Sequence, residues 1–329
     1  MPLDPYFTSG VEFLRGLAPE EAADPAVPSR LAEHFVAARE WAVPDIEVQD
    51  TTVPGREGQI PVRIYRPRGP IRSCVMWLHG GGFAYGDLDM PEAHMVSAEI
   101  AYRANAFVVS VDYRLAKNGI HYPAPVDDAE VVWSWLNGLP EAGLGPIALG
   151  GASAGAAIAL STALRLRRLG SVQPSELLLA YPFLHFPVPA LDDATALEMQ
   201  RLPALMRFTP ESIAAMVRNY VGRISDLPLE AMPGAADLSG LPRTRVLVSE
   251  LDDLRPSAEL IVTQLSEAGV PVETYLAAGM PHGHLNQGPS IDEVSRSLDF
   301  FVQALKEGQP ARWAEQKSAN LTKPAGGAK

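Results

Sequence analysis

The chain has 329 residues, 47% hydrophobic and 20% charged, enough for one large core that needs neither disulfides nor a structural metal. A formal net charge of −12 repels phosphate backbones and anionic membranes, which argues against nucleic acid and membrane surfaces as partners. The single cysteine, Cys74, cannot close an internal disulfide, and no apolar run is long enough to span a bilayer. Met1-Pro-Leu-Asp-Pro-Tyr6 lacks the basic stretch and apolar core of a signal peptide, so the expectation is a soluble, cytoplasmic protein.

In chain order, Val11–Leu14 and Leu31–Ala38 repeat apolar residues at helical spacing. Ile46–Val53 and Ile60–Tyr65 then alternate like half-buried strands, with Gly55 and Gly58 marking a turn, as in an antiparallel pair at a sheet edge. From Ser73 onward short apolar runs alternate with helical stretches. The strands are expected at Cys74–Leu78, Phe107–Val111, Ile147–Gly150, Leu177–Ala180, Val246–Ser249 and Val272–Leu276. The helices between and after them are expected at Glu92–Ala104, Val126–Leu136, Ala154–Leu169, Ser257–Ala268 and Ile291–Leu305. This alternation predicts an α/β fold with a mostly parallel central sheet flanked by helices, whose ligands bind beyond the carboxyl ends of the strands. Residues 187–232, rich in Pro, Leu and Met, interrupt the alternation as an inserted helical cap segment. The expected organisation is therefore 1–45 as an N-terminal part of the cap, 46–186 and 233–306 as two parts of the core, and 307–329 as a mobile tail.

Three segments carry chemistry. Ile147–Gly150 runs through Gly151-Ala-Ser-Ala-Gly155 into a helix, which is the strand–turn–helix context of a nucleophile elbow. Ser153 must sit in a strained turn, and the small residues at Gly151 and Gly155 let strand and helix close around it. The bland alternative is a Gly/Ala-rich turn whose serine merely caps the helix. His79-Gly-Gly-Gly-Phe83 follows a strand, and three consecutive glycines cost backbone entropy there. As an oxyanion hole, the amides of Gly81, Gly82 and Ala154 would meet the oxygen that becomes negative, and each such donor is worth about 10²–10³-fold in rate. A phosphate loop would need Lys-Ser or Lys-Thr after the glycines, where Phe83-Ala-Tyr85 stands instead. His79 is expected to be structural.

The elbow requires an acid and then a histidine later in the chain. Of seven histidines only His185, His282 and His284 follow Ser153, and His185 precedes any suitable acid. We assign the base to His282, in the loop after Val272–Leu276, rather than to His284. A His-X-His pair also marks metal sites, but no third ligand cluster accompanies it, so no metal is expected. The acid follows Val246–Ser249, where Glu250, Asp252 and Asp253 all qualify, and spacing does not choose among them.

Together, His79-Gly-Gly-Gly82 with Gly86-Asp87, Asp112-Tyr-Arg-Leu-Ala116, Gly151-Ala-Ser-Ala-Gly155, Asp252-Asp-Leu-Arg255 and His282-Gly283 resemble the bacterial hormone-sensitive-lipase-like carboxylesterases, the family IV lipolytic enzymes. The resemblance runs from about Ile46 to Leu305. It implies an α/β-hydrolase fold with a helical cap, Ser153 as nucleophile, Asp252 as acid, His282 as base, Gly81, Gly82 and Ala154 as oxyanion donors, and no cofactor. The chain departs from the family pattern at Ala152, usually Asp or Thr, and at Lys117-Asn-Gly-Ile-His-Tyr122, where Pro-Glu usually follows. It departs again at Asp253, usually Pro, and at His284, usually Phe.

The expected reaction is hydrolysis of small-molecule esters with short or medium acyl chains, or of bulky hydrophobic esters. Phe7, Phe13, Leu14, Met199, Leu205, Met206, Phe208 and Met216 supply an apolar lid, and Phe83, Phe208 and His284 are the expected pocket residues. Amide, carbamate or lactone hydrolysis would use the same groups. A non-catalytic small-ligand receptor of this fold, as gibberellin receptors are, is the alternative from another class; those lack a working base. A homodimer paired through Val272–Leu276 is a further expectation.

Overall fold

The computed structural model describes residues 2–17, 21, 26–35 and 40–307. Its centre is one eight-stranded sheet built from β1 (Ile46–Gly55), β2 (Gly58–Pro67), β3 (Ser73–Leu78), β4 (Ala106–Val111), β5 (Ile147–Ala152), β6 (Glu176–Ala180), β7 (Arg243–Leu251) and β8 (Val272–Pro281). The strand order is β1-β2-β4-β3-β5-β6-β7-β8. The β1–β2 and β2–β4 pairings are antiparallel and the rest are parallel. Each predicted strand falls inside one of these elements.

The inner strands read as unbroken apolar runs because helices cover both faces of the sheet. No residue of β3, β4, β5 or β6 is exposed. The twofold alternation of the strand sorts their side chains into two cores. Cys74, Met76 and Leu78 face one, which also holds Val126 and Val132 of α4 (Ala124–Asn137), Ile158 and Leu160 of α5 (Ala154–Leu169) and Ile261 of α8 (Arg255–Glu267). Val75 and Trp77 face the other, with Met95 and Ile100 of α3 (Pro91–Ala104) and Leu298 and Phe301 of α9 (Asp292–Glu307). The Cys74 thiol is buried in the first core, and burial pushes its pKa up to about 12, so it packs as a small hydrophobe.

At the N-terminus, α1 (Thr8–Arg15) contains the predicted Val11–Leu14 turn. Of the stretch predicted at Leu31–Ala38 only Leu31 and Ala32 are helical among the described residues: α2 spans Val27–Ala32, with Pro28 in its first turn, where a fixed φ and a missing N–H cost nothing, and residues 33–35 lie beyond its end. Residues 36–39 and 308–329, and with them all of the predicted tail but its first residue, lie outside the described residues. Between β6 and β7, Asp192 caps α6 (Asp193–Met199) through the amides of Ala194 and Thr195, and Thr209 caps α7 (Pro210–Val221). Arg15 of α1 donates to the carbonyl of Arg201, so the N-terminal helix and the inserted segment touch. Among the described residues no helix is long and apolar enough to cross a membrane.

The connectivity places the crevice. From β3 the chain passes to β4 on one side and later to β5 on the other. Loops leaving the carboxyl ends of β3 and β5 therefore part, and this is where ligands bind in open parallel sheets.

Candidate active site

Ser153 lies between β5 and α5 with φ 52° and ψ −116°, a left-handed conformation that a side chain adopts only under constraint. The constraint is close packing of the two backbones. A Cβ at Gly155 would stand 2.2 Å from the Leu78 carbonyl oxygen and 2.3 Å from that of His79; one at Gly151 would stand 2.6 Å from Gly155. The Ser153 amide donates to the Ala180 carbonyl at 2.9 Å, which ties the turn to the end of β6. Ala154 opens α5, so its amide is one of the four that a helix start leaves without an intrahelical acceptor.

His282 directly follows β8. Its Nε2 lies 2.9 Å from Ser153 Oγ and its Nδ1 2.6 Å from Asp252 Oδ2. A carboxylate only accepts, so Nδ1 carries the proton and the Nε2 lone pair faces the serine. Burial opposes a charge on this imidazole, but the carboxylates of Asp252, Glu92 and Asp253, Asp252 foremost, together hold the His282 pKa above its ordinary value of 6.5. Asp252 is buried, and its other oxygen accepts the Leu254 amide at 2.8 Å. The neighbouring carboxylates point elsewhere. Asp253 accepts Arg207 Nη2 at 2.7 Å and the Phe208 amide at 2.8 Å, and Glu250 accepts the Gly279 amide at 2.7 Å.

The glycine loop stands opposite. Gly81 (φ 105°) and Gly82 (φ 58°) occupy left-handed conformations, and a Cβ at Gly81 would lie 2.1 Å from the Tyr85 carbonyl oxygen. A cavity of about 810 Å³ opens over Ser153 and His282, lined by Gly81 and Gly82 and by Phe208, Ala215 and Met216 of the inserted segment. The Phe208 ring meets the His282 ring edge-on at 4.8 Å.

A family model described as the alpha/beta hydrolase fold matches residues 75–286. Esterase LipI of Mycobacterium tuberculosis is 33% identical over 282 residues, 80% of this chain and 82% of that protein. Carboxylesterase NlhH of the same species is 35% identical over 280 residues, 80% and 83% of the two chains. The chain belongs to the hormone-sensitive-lipase-like carboxylesterase family of α/β-hydrolases. Among solved structures, an esterase of Pyrobaculum calidifontis superposes with a TM-score of 0.76 at 31% identity, covering 93% of this chain and 99% of that one. The thermostable carboxylesterase EstE1 from a metagenomic library gives 0.76 at 28%, covering 88% and 99%.

Set within this carboxylesterase family, two expected pocket residues need correction. Phe83 does not line the cavity: it is fully buried and stacked on Tyr220 at 3.7 Å, because its left-handed backbone (φ 67°) turns the ring into the core behind the loop. His284 does not line it either. It is buried between β7 and α9, with Nδ1 3.0 Å from Ser249 Oγ and Nε2 2.9 Å from Ser297 Oγ; burial lowers its pKa to about 3 and keeps it neutral. Phe208 does line the cavity. His79 is buried, with Nδ1 2.7 Å from the Gly80 carbonyl and its ring stacked on Tyr113 at 4.5 Å. Of the eight residues expected in an apolar lid, only Phe208 and Met216 reach the cavity; Phe7, Leu14 and Met199 are buried in packing. Two residues that no motif marks also belong to the site. Glu92, at the start of α3, is fully buried and lines the cavity, and Tyr181, just after β6, packs edge-on against His282 at 4.9 Å. The only sequence signal for Glu92 is an acid in the first turn of a helix that also carries His94, Glu99 and Arg103, which solvated acids share.

Proposed function

We propose that this carboxylesterase cleaves small carboxylic esters by two-step acyl transfer, with Ser153 as nucleophile, His282 as base and Asp252 as the acid that orients it. The observation that carries this is the single imidazole bridging Ser153 Oγ and Asp252 Oδ2 on the wall of an open cavity. Nε2 takes the Ser153 proton as Oγ attacks the ester carbonyl. The amides of Gly81, Gly82 and Ala154 stabilise the tetrahedral oxyanion. The alcohol leaves with the proton returned from His282. Water then repeats the sequence and releases the acid, and no step requires a cofactor.

The apolar wall and the volume of about 810 Å³ support short or medium acyl chains, or a bulky hydrophobic ester. Ser153→Ala is the test. It is expected to abolish turnover of p-nitrophenyl butyrate with an unchanged melting temperature; substantial residual turnover would remove Ser153 from the role. A panel of esters, amides, carbamates and lactones then reads the bond preference, with long-chain emulsified lipid expected to be a poor substrate. Labelling of Ser153 by a fluorophosphonate separates this enzyme from a non-catalytic receptor of the same fold, which should not react. We also propose that the molecule self-associates as a homodimer through the edge strand β8.

A further inference from the structure

Glu92 is an ionisable side chain of the cavity wall that the acyl-transfer steps leave unused. It is 1% exposed, yet both carboxyl oxygens are occupied. Oε2 accepts the Gly80 amide at 2.7 Å, and Oε1 accepts the Tyr181 hydroxyl and Asn286 Nδ2, the latter at 3.3 Å. The Asn286 amide is fixed in orientation, because its Oδ1 accepts the Glu92 backbone N–H at 3.3 Å while its Nδ2 also reaches the Gly283 carbonyl at 3.0 Å. These partners sit on three separate segments. Gly80 opens the glycine loop after β3, Tyr181 directly follows β6 in a left-handed conformation (φ 33°), and Asn286 closes the turn that carries His282. Gly80 itself is shaped to the carboxyl, since a Cβ there would lie 2.3 Å from Glu92 Oε2.

We infer that Glu92 is a positioning residue, an ionised carboxylate that clamps the glycine loop, Tyr181 and the His282 turn in one arrangement and favours the imidazolium formed on His282. Two N–H groups that can only donate and the Tyr181 hydroxyl cover the two oxygens, so three donors match the charged form. Burial lifts the Glu92 pKa above its ordinary value, and the Tyr181, Gly80 and Asn286 donors oppose that lift. The negative charge adds to those of Asp252 and Asp253 in raising His282. The remaining ionisable groups facing the pair are Tyr181 and His284 against His282, and Tyr181 and Tyr113 against Glu92. The kinetic consequence rests on the esterase proposal; the electrostatic consequence does not.

Glu92→Gln keeps the shape and removes the charge, and it sets an NH₂ group against donors. The expected result is a kcat for p-nitrophenyl butyrate lower by about ten- to a hundredfold with a far smaller change in KM, as for small misplacements of reacting groups. The His282 imidazole, followed by proton NMR, is expected to titrate at lower pH than in the unaltered protein. Wild-type kcat with an unmoved titration overturns the inference. So does a loss of kcat with an unmoved titration, which would mark packing alone. Where Glu92→Gln does not fold, Glu92→Asp is read instead. It keeps the charge but shortens the reach, so the titration should stay in place while kcat falls, and an unchanged kcat overturns the proposal. A protein that hydrolyses no ester at all would fail the functional proposal while leaving the His282 titration as a test of Glu92.

Discussion

At the scale of the residue, the site depends on which of two adjacent carboxylates turns inward. Asp252 faces His282 and Asp253 faces Arg207, although they are consecutive in one loop. Asp252→Asn should lower kcat by on the order of 10⁴-fold, because an amide no longer holds the proton on Nδ1. The same change should move the acid limb of kcat/KM. The base proposed here, His282, works only when neutral, so falling pH is expected to remove activity as the pH passes through its pKa. Asp252 is foremost among the carboxylates that hold that pKa above 6.5, which places the limb above the ordinary imidazole value; without its charge the limb should move to lower pH. A pH–rate profile of the residual activity reads both effects. Gly155→Ala has a different cost. Its Cβ would press on two carbonyl oxygens of the fixed backbone at 2.2 and 2.3 Å, so a destabilisation of about 1–3 kcal/mol or more is expected from the denaturation midpoint.

The inserted segment between β6 and β7 acts as an element. It is latched to the core by Asp253, which accepts Arg207 and the Phe208 amide while the Phe208 ring leans on His282. Both side chains of the Arg207–Asp253 pair are largely shielded, at 24% and 8% exposure, so the contact is worth more than a surface ion pair. Asp253→Ala should therefore raise KM by about tenfold, the value of one charge-assisted hydrogen bond, with kcat little affected. Steady-state kinetics beside Asp252→Asn would separate the latch from the proposed catalytic acid. The predicted strands and helices agree with the structure because the inner sheet is covered on both faces and the apolar runs are unbroken. Helix α2 is less legible: it ends at Ala32, whereas the apolar period that predicts a helix begins only at Leu31.

For the whole molecule, the sheet ends at β8, where Leu276 is 43% exposed. Asp4 meets the far end of this strand at Gly279, and an edge strand is a template for a second copy, which closes it by a twofold. Sedimentation is expected to report a dimer, and Leu276→Lys, an edge charge, to return the monomer without loss of the fold. A monomeric wild type would end that proposal.

The sequence by itself determined the α/β alternation, the elbow around Ser153, the glycine loop and the histidine loop, because each is a local device: a strained turn needs small neighbours, and an apolar strand needs a period. Spacing left Glu250, Asp252 and Asp253 open and the family resemblance implied Asp252; tertiary structure turned Asp252 to His282 and Asp253 to Arg207, sent Phe83 and His284 into the core, and brought Glu92 and Tyr181 to the site. Those outcomes depend on where a side chain points after strands distant in sequence have paired, and on burial, which turns an ordinary first-turn glutamate into a shielded carboxylate. Residue order along the chain carries neither quantity.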